Sequence, residues 1–559
     1  MKKSLAKFLE VIRSFAESYR TLNETVYAPL SARQRTVVIF FNVLLALYIA
    51  TIITLSNFYT GGKDAIFLWP ILFCVAYQGL KFLLRKHGAW YIHCKKERGK
   101  LSLKTFLVAS SIPFIVCMAN LFAHYPGGIS PDNISQWIQV QSENFDNWHP
   151  AIHTMLIWLV THIVPTYSFF IGFQITFFCM AIGYMYATLQ VWGIKKRWSV
   201  FFLILAVTPL PTRNIVLHAW KDTASTILLL FLAVCTINIV LSGGKWLSKW
   251  NNVLAIAVVG ALASIVRHNG FFFTLPFGIL VAACYTKVTR NALFTIAASI
   301  VLVLGITKVL YPVVGVSQSK TQRYIESVGL PMTILSGVMS REPERLDDET
   351  RAFLTGIATE EQWREVFRHG NYNSVKWPFD ISRFIEQIPP QKLLQMTLRT
   401  IRAVPTTSLN EVIALTKMVW HPVDWRYGIG ISGADGTAYR LYSEHELDTM
   451  RPVIKTSGIL YGFIDTIIKM VIPSFIFSSI GLNMLLLLLA GVFSVNRNLG
   501  AKALVLFIPS VAYNLGTMLL LSGQDYRFFH FNIVITLPLI IVLLAKNHEI
   551  SPQNDSAKL

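Results

Sequence analysis

The sequence predicts an all-α polytopic membrane protein: about twelve transmembrane helices, interfacial helices, and a mixed or helical domain outside the bilayer. Three observations predict it. Of the 559 residues, 53% are hydrophobic and only 14% charged, giving a mean hydropathy of +0.50. Apolar runs of the roughly 20 residues that a helix needs to cross a bilayer recur along almost the whole chain. Lys and Arg gather in short stretches between those runs, as they do in cytoplasmic loops. That clustering accounts for the net charge of +20 without a nucleic-acid partner.

The first 34 residues lack the apolar core of a cleavable signal. Leu5, Phe8, Leu9, Ile12, Phe15 and Tyr19 recur at helical spacing among basic residues, which predicts an amphipathic cytoplasmic segment on the inner membrane surface. Residues 35–104 hold two spans, 36–56 and 65–84, and a basic cytoplasmic loop. Residues 105–311 hold seven more: 105–123, 167–191, 198–217, 223–241, 252–266, 270–286 and 291–311, with a first outer loop at 124–150. Residues 312–455 are expected to form an extracytoplasmic domain, in which 341–367 reads as a pair of surface helices. The last spans, 475–496, 502–521 and 527–545, lie within 456–545, and 546–559 is a cytoplasmic tail.

Two further apolar pieces, 150–164 and 456–472, are short. Fifteen helical residues reach only about 22 Å, so both are expected to be re-entrant or interfacial. Twelve spans with a cytoplasmic N-terminus place the basic stretches 85–104, 195–197, 245–249, 287–290 and 496–502 on the cytoplasmic side. The six cysteines all precede residue 285 and include no CxxC pair, so neither a disulfide framework nor a cysteine metal site is expected.

This topology sends most of the unusual polar residues to the outer face. "YPGGISPD" ends a span with a Pro- and Gly-rich turn and leads to Asp132. Ile134, Trp137, Ile138 and Val140 then suit a short interfacial helix. Asp132 has two readings: the N-cap of that helix, or a carboxylate above the bilayer acting as a general base. His149 and Pro150 close the loop. The proline suits a first helical turn, while His149 either orients a hydroxyl or phosphate or faces water. "HAWKD" carries His218 and Lys221, "RHNG" carries Arg267 and His268, and "DYRFF" carries Arg527 with Asp525 beside it as a simple pairing partner. Cations at span ends contact either bulk lipid phosphate or the phosphate of a polyprenyl-phosphate donor. "WHPVDWRYGIGISGADG" at 420–436, with Trp425 at its centre, is aromatic and glycine-rich, which suits either carbohydrate stacking or a membrane anchor. No Walker A, HExxH or GxSxG motif occurs.

Together these motifs resemble a GT-C glycosyltransferase, an integral membrane enzyme that takes sugars from lipid phosphates, and most resemble bacterial members that modify cell-wall or surface polysaccharides. The resemblance rests on "YPGGISPD", an interfacial helix followed by "HP", cationic span ends, a late outer domain and "DYR" at the last span. It covers about residues 105–545. It implies that Asp132 is the catalytic base, taking the proton of an acceptor hydroxyl in an inverting transfer. Lys221, Arg267 and Arg527 would then hold the donor phosphate, while His149, His218, His268 and Trp425 position substrate. The implied partners are a polyprenyl-phosphate-linked sugar, a polysaccharide or glycolipid acceptor and membrane lipids, at the outer face of a bacterial plasma membrane. Many such enzymes carry a second acid beside the first-loop aspartate; here Asn133 follows, and the next acids are Glu143 and Asp146. No metal or other cofactor is expected, a divalent metal being the alternative. A lipid-linked sugar flippase and a non-catalytic partner of a polysaccharide machine are the competing readings.

Overall fold

The computed structural model describes residues 32–59, 67–85, 92–94, 99–317, 320–381, 385–423 and 478–546. Apart from a two-residue strand pair, Ile92–His93 with Ala545–Lys546, the regular structure in them is helical. The chain forms two compact units. One comprises Met1–Cys94, Leu488–Leu504 and Ile540–Leu559; the other comprises Lys95–Leu487 and Val505–Leu539.

In the first unit, α1 (Ala32–Tyr59) packs along α2 (Trp69–Arg85). Asn498 donates from Nδ2 to the carbonyls of Leu543 and Ala545 at 3.0 and 2.8 Å, which ties off the strand pair. The second unit contains the helices α3 (Leu103–Ala123), α4 (Pro131–Ser142), α5 (Ala151–Thr161), α6 (Tyr167–Val191), α7 (Lys196–Val207), α8 (Leu210–Ile215), α9 (Lys221–Leu241), α10 (Trp250–Val266), α11 (Phe271–Cys284) and α12 (Thr289–Gly305). Its principal packed pairs are α3 with α6, α6 with α9, and α10 with α12.

Among the described residues, seven helices are long and apolar enough to cross a bilayer: Arg35–Ser56, Leu103–Ala123, Tyr167–Val191, Lys221–Leu241, Thr286–Val313, Gly500–Met518 and Tyr526–Leu543. Four of the other expected spans form shorter apolar helices, Trp69–Leu83, Trp250–Val266, His268–Cys284 and Ile480–Asn496. The expected single span 198–217 is instead two helices. α7 ends at Val207 and α8 begins after Pro209, because proline has no N–H to give and restricts the residue before it. α5, with 11 residues, is about 16 Å long, short of a crossing as expected for 150–164. Residues 1–31, the segment 456–472 and the tail after Lys546 lie outside the described residues. None of the six cysteines, all among the described residues, is in a disulfide.

The described residues of 320–423 hold six longer helices: α13 (Lys320–Ser327), α14 (Gly329–Arg341), α15 (Asp348–Ile357), α16 (Glu360–Val366), α17 (Pro390–Ala403) and α18 (Pro405–Trp420). The expected surface pair is α15 and α16. Asp347 caps α15 by accepting from Thr350 N. Thr359 and Gln362 form a reciprocal capping box on α16, which satisfies two otherwise orphaned amides. Met332, Leu335 and Met339 from α14 share a buried core with Trp363, Tyr372 and Leu393. This domain grips the loop before the last helix: Asn373 N donates to Ser522 O (3.1 Å) and Gln524 Nε2 to Ala414 O (2.6 Å). The remaining helices are α19 (Ile480–Arg497), α20 (Leu504–Met518) and α21 (Phe531–Leu543).

Candidate active site

The site is built by a turn that stitches the end of α3 to the start of α9. After the cis Tyr125–Pro126 peptide, Gly127 adopts φ +121°, a conformation natural only to glycine. Gly128 then lies flat on the His218 ring: a Cβ there would meet the ring at 2.3 Å. Gly128 N donates to Leu217 O (2.8 Å), and Tyr167 Oη donates to Gly128 O (2.7 Å) while receiving Ala219 N (3.2 Å). The two loops are therefore held together by backbone and tyrosine before any charged group is placed.

Ser130 follows, and it is the N-cap of α4, accepting from Asn133 N. It also accepts from the Trp220 indole, Nε1 to Oγ 2.8 Å. The reading of Asp132 as the helix cap is thus corrected: with Pro131 at the first helical position, the cap falls two residues earlier. Asp132 stands in the first turn, where the helix dipole favours a carboxylate, and its side chain is free to reach outward. On the far side of α4, Ile134, Trp137 and Val140 are buried, with Trp137 edge-on to Tyr167. Ile138, the fourth apolar residue of this helix, is half-buried. Gln136 donates to Thr154 Oγ1 on α5 (2.9 Å), closing the helical hairpin that returns His149 to the site.

Asp132 meets Arg527, which the chain carries 395 residues later: Nη1 to Oδ2 is 2.6 Å. The expected pairing of Arg527 with Asp525 is also present, Nε to Oδ2 2.7 Å, and Asp222 Oδ2 lies 3.8 Å from the same nitrogen. One guanidinium thus serves three carboxylates, with its flat face 4.9 Å from the centre of the Trp220 ring. Arg267 is buried, paired with Asp222 and set 4.1 Å over Phe528. The turn that carries it is tight, since a Cβ on Gly270 would strike the Ala263 carbonyl.

Lys221 opens α9 and donates from Nζ to His149 Nδ1 at 3.2 Å. Among the described residues it is the one of the three predicted phosphate-binding cations without a carboxylate in ion-pair range. Burial opposes ionisation of Asp132, but the Arg527 charge and hydrogen bond, with Lys221 nearby, outweigh it and hold the carboxyl well below the usual range. Burial first, and then Lys221, lower His149 to about 3. It is therefore neutral at physiological pH and fit to accept from the ammonium.

Asp132, His149, Lys221, Arg267 and Arg527 therefore converge, and His268 is exposed within the field of Lys221, Arg267 and Arg323. His218 occupies a different position. It is buried, its Nδ1 lies 2.8 Å from Asn214 O and its ring stacks on Trp220 at 3.9 Å. Burial lowers it to about 4, so it packs beneath the site as a neutral ring. Trp425 lies outside the described residues. Glu143 and Asp146, the next acids after Asp132, are engaged elsewhere: Glu143 receives the Trp158 indole (3.1 Å), and Asp146 receives Trp148 N (2.8 Å) and Gln139 (3.0 Å). Among the described residues no three His, Cys, Asp or Glu side chains gather as metal ligands would. Asp222 is the functional-site residue that sequence reasoning passed over. Its signal was an acid at the second position of an otherwise apolar helix, where burial demands a partner.

No family model matches the chain, and neither a curated protein nor a solved structure does.

Proposed function

We propose that this protein is an inverting glycosyltransferase that moves a sugar from a polyprenyl-phosphate donor to a hydroxyl of a cell-envelope polysaccharide or glycolipid, at the outer face of a bacterial plasma membrane. One observation carries the reading. A carboxylate with a partly open side chain, 28% exposed, lies 2.6 Å from an arginine, in one cluster with Lys221 and His149 at the ends of apolar helices. A lipid-linked sugar needs that combination: an apolar medium for its tail, cations for its phosphate and a base for the incoming alcohol.

Asp132 takes the proton from the acceptor hydroxyl as its oxygen bonds to the anomeric carbon. The bond from that carbon to the phosphate oxygen breaks, and its electron pair leaves on the polyprenyl phosphate. The phosphate gains one negative charge, matched by the proton now on Asp132. Attack opposite the leaving group inverts the anomeric centre. Lys221 offers the first contact for the phosphate, since among the described residues its ammonium has a neutral histidine and no carboxylate as its partner. Arg527 receives the developing charge next. A phosphate drawing on Arg527 competes with Asp132 for the guanidinium, which raises the basicity of Asp132 when the donor is seated.

The test is surface-glycan composition in cells lacking the protein and in cells carrying wild type or Asp132→Asn at equal membrane abundance. One sugar should disappear from the null and from the variant. Wild-type glycan with Asp132→Asn overturns the reading, as does purified protein that flips a labelled lipid-linked sugar without ever transferring it.

A further inference from the structure

Two tryptophans lie outside the charged cluster and have no part in the transfer step. Trp148 is in the loop between α4 and α5, and Trp377 is in the domain of residues 320–423. Their rings meet at 5.4 Å with a tilt of 32°. Trp377 is 62% exposed although it meets another ring. Trp148 is tied to the cluster through its chain neighbour, and Trp377 reaches it through its contact with Trp148. His149 follows Trp148 and accepts from Lys221. Lys376 precedes Trp377, sets its ammonium 4.8 Å from that ring, and pairs with Glu326 at 2.7 Å. The aromatic pair is thus linked to Lys221 through the His149 backbone neighbour of Trp148.

We propose that Trp148 and Trp377 form the acceptor platform, a stacking surface for a pyranose ring of the saccharide that receives the transferred sugar. This rests on the glycosyl-transfer reading and names the acceptor side of that site. The C–H face of a pyranose is apolar and fits an open indole, while its equatorial hydroxyls need donors and acceptors at the ring's edge. Glu326, its side chain 43% exposed, supplies an acceptor beside the platform, and Lys376, only 6% exposed, lies over the Trp377 ring and holds that carboxylate in place. A tryptophan that merely anchors a protein at the lipid surface needs no such ion pair beside it.

The experiment uses full-length protein in cells lacking it, carrying wild type, Trp377→Ala, Trp377→Phe, Trp148→Ala or Asp132→Asn. Three readouts are taken: sugar incorporated into surface glycan, protein abundance in the membrane, and photo-crosslinking to a diazirine-bearing polyprenyl phosphate. Trp377→Ala should lower incorporation about tenfold, the effect of roughly one good ring contact, with abundance and crosslinking unchanged. Trp377→Phe should restore most of it, and Trp148→Ala should resemble Trp377→Ala. Wild-type incorporation in Trp377→Ala overturns the platform. So does a parallel fall in abundance or crosslinking, which marks the ring as an anchor or packing element. If Asp132→Asn also incorporates normally, the transfer reading itself fails; if Asp132→Asn is dead while Trp377→Ala is normal, only the platform does.

Discussion

Among the described residues two carboxylates, Glu411 and Asp132, face an arginine and stand near a histidine, and their surroundings are opposite. Glu411, on α18, is fully buried. Its oxygens accept from Gly370 N at 2.8 Å and meet His369 Nδ1 at 2.8 Å and Arg341 Nη2 at 3.2 Å, while the close approach of Gly337 leaves no room beside it. Each partner serves Glu411 on a fixed backbone, so the group works as a staple between α14, α18 and the turn at 369–370. Asp132 is partly open and has a single arginine, which it shares with Asp525 and Asp222. A carboxylate meant to stay put is saturated with its own donors. The proposed base keeps an open face and shares its arginine with two other carboxylates.

Four measurements sharpen or break that contrast. The largest effect is expected for Asp132→Asn, where loss of a general base costs about 10²–10⁴-fold in transfer with the fold intact; equal loss of thermal stability would make Asp132 another staple. Next, Glu411→Ala orphans the Gly370 amide and removes charge-assisted hydrogen bonds, a cost of about 3 kcal/mol. Amide exchange in α14 and α18 should quicken by about two orders of magnitude, and unchanged protection would refute the staple.

Third is a pH effect. In wild type Arg527 keeps Asp132 ionised, so the stabilisation from the pair is fully present above the unfolded carboxyl value of about 3.9. It is lost only as the pH falls through the depressed folded value. Arg527→Gln leaves burial as the main influence on Asp132. The acid limb of residual transfer should therefore move up by at least about one pH unit, and an unshifted limb would show that Arg527 does not control the base. The smallest effect is expected for Arg351→Ala. It breaks an exposed pair with Glu360 (2.6 Å) on the domain surface and should cost under about 1 kcal/mol in thermal unfolding.

Much of this was legible in the chain. The apolar runs at 167–191 and 223–241 became α6 and α9 within a few residues, because helical hydrophobicity is a local property that composition reports directly. The break at 207–210 was equally local, written in Pro209 and Pro211, and was passed over because the surrounding residues are apolar. Ser130 could also have been found: a serine before a proline and an acid is a helix start, which moves the cap off Asp132. The charges at helix ends, Lys221, Arg267 and Arg527, could be picked out singly as cations where apolar runs stop.

Their partners were not legible. That Arg527 reaches across 395 residues to Asp132, that Arg267 is matched by Asp222, and that Trp148 meets Trp377 depend on how helices pack. The sequence alone determined an all-α chain with long apolar helices, since hydrophobic period and capping act over a few residues. Only the tertiary structure decided which carboxylate stays open and which is sealed. Burial and pairing of charge are set by distances between segments that nothing in their local sequence records.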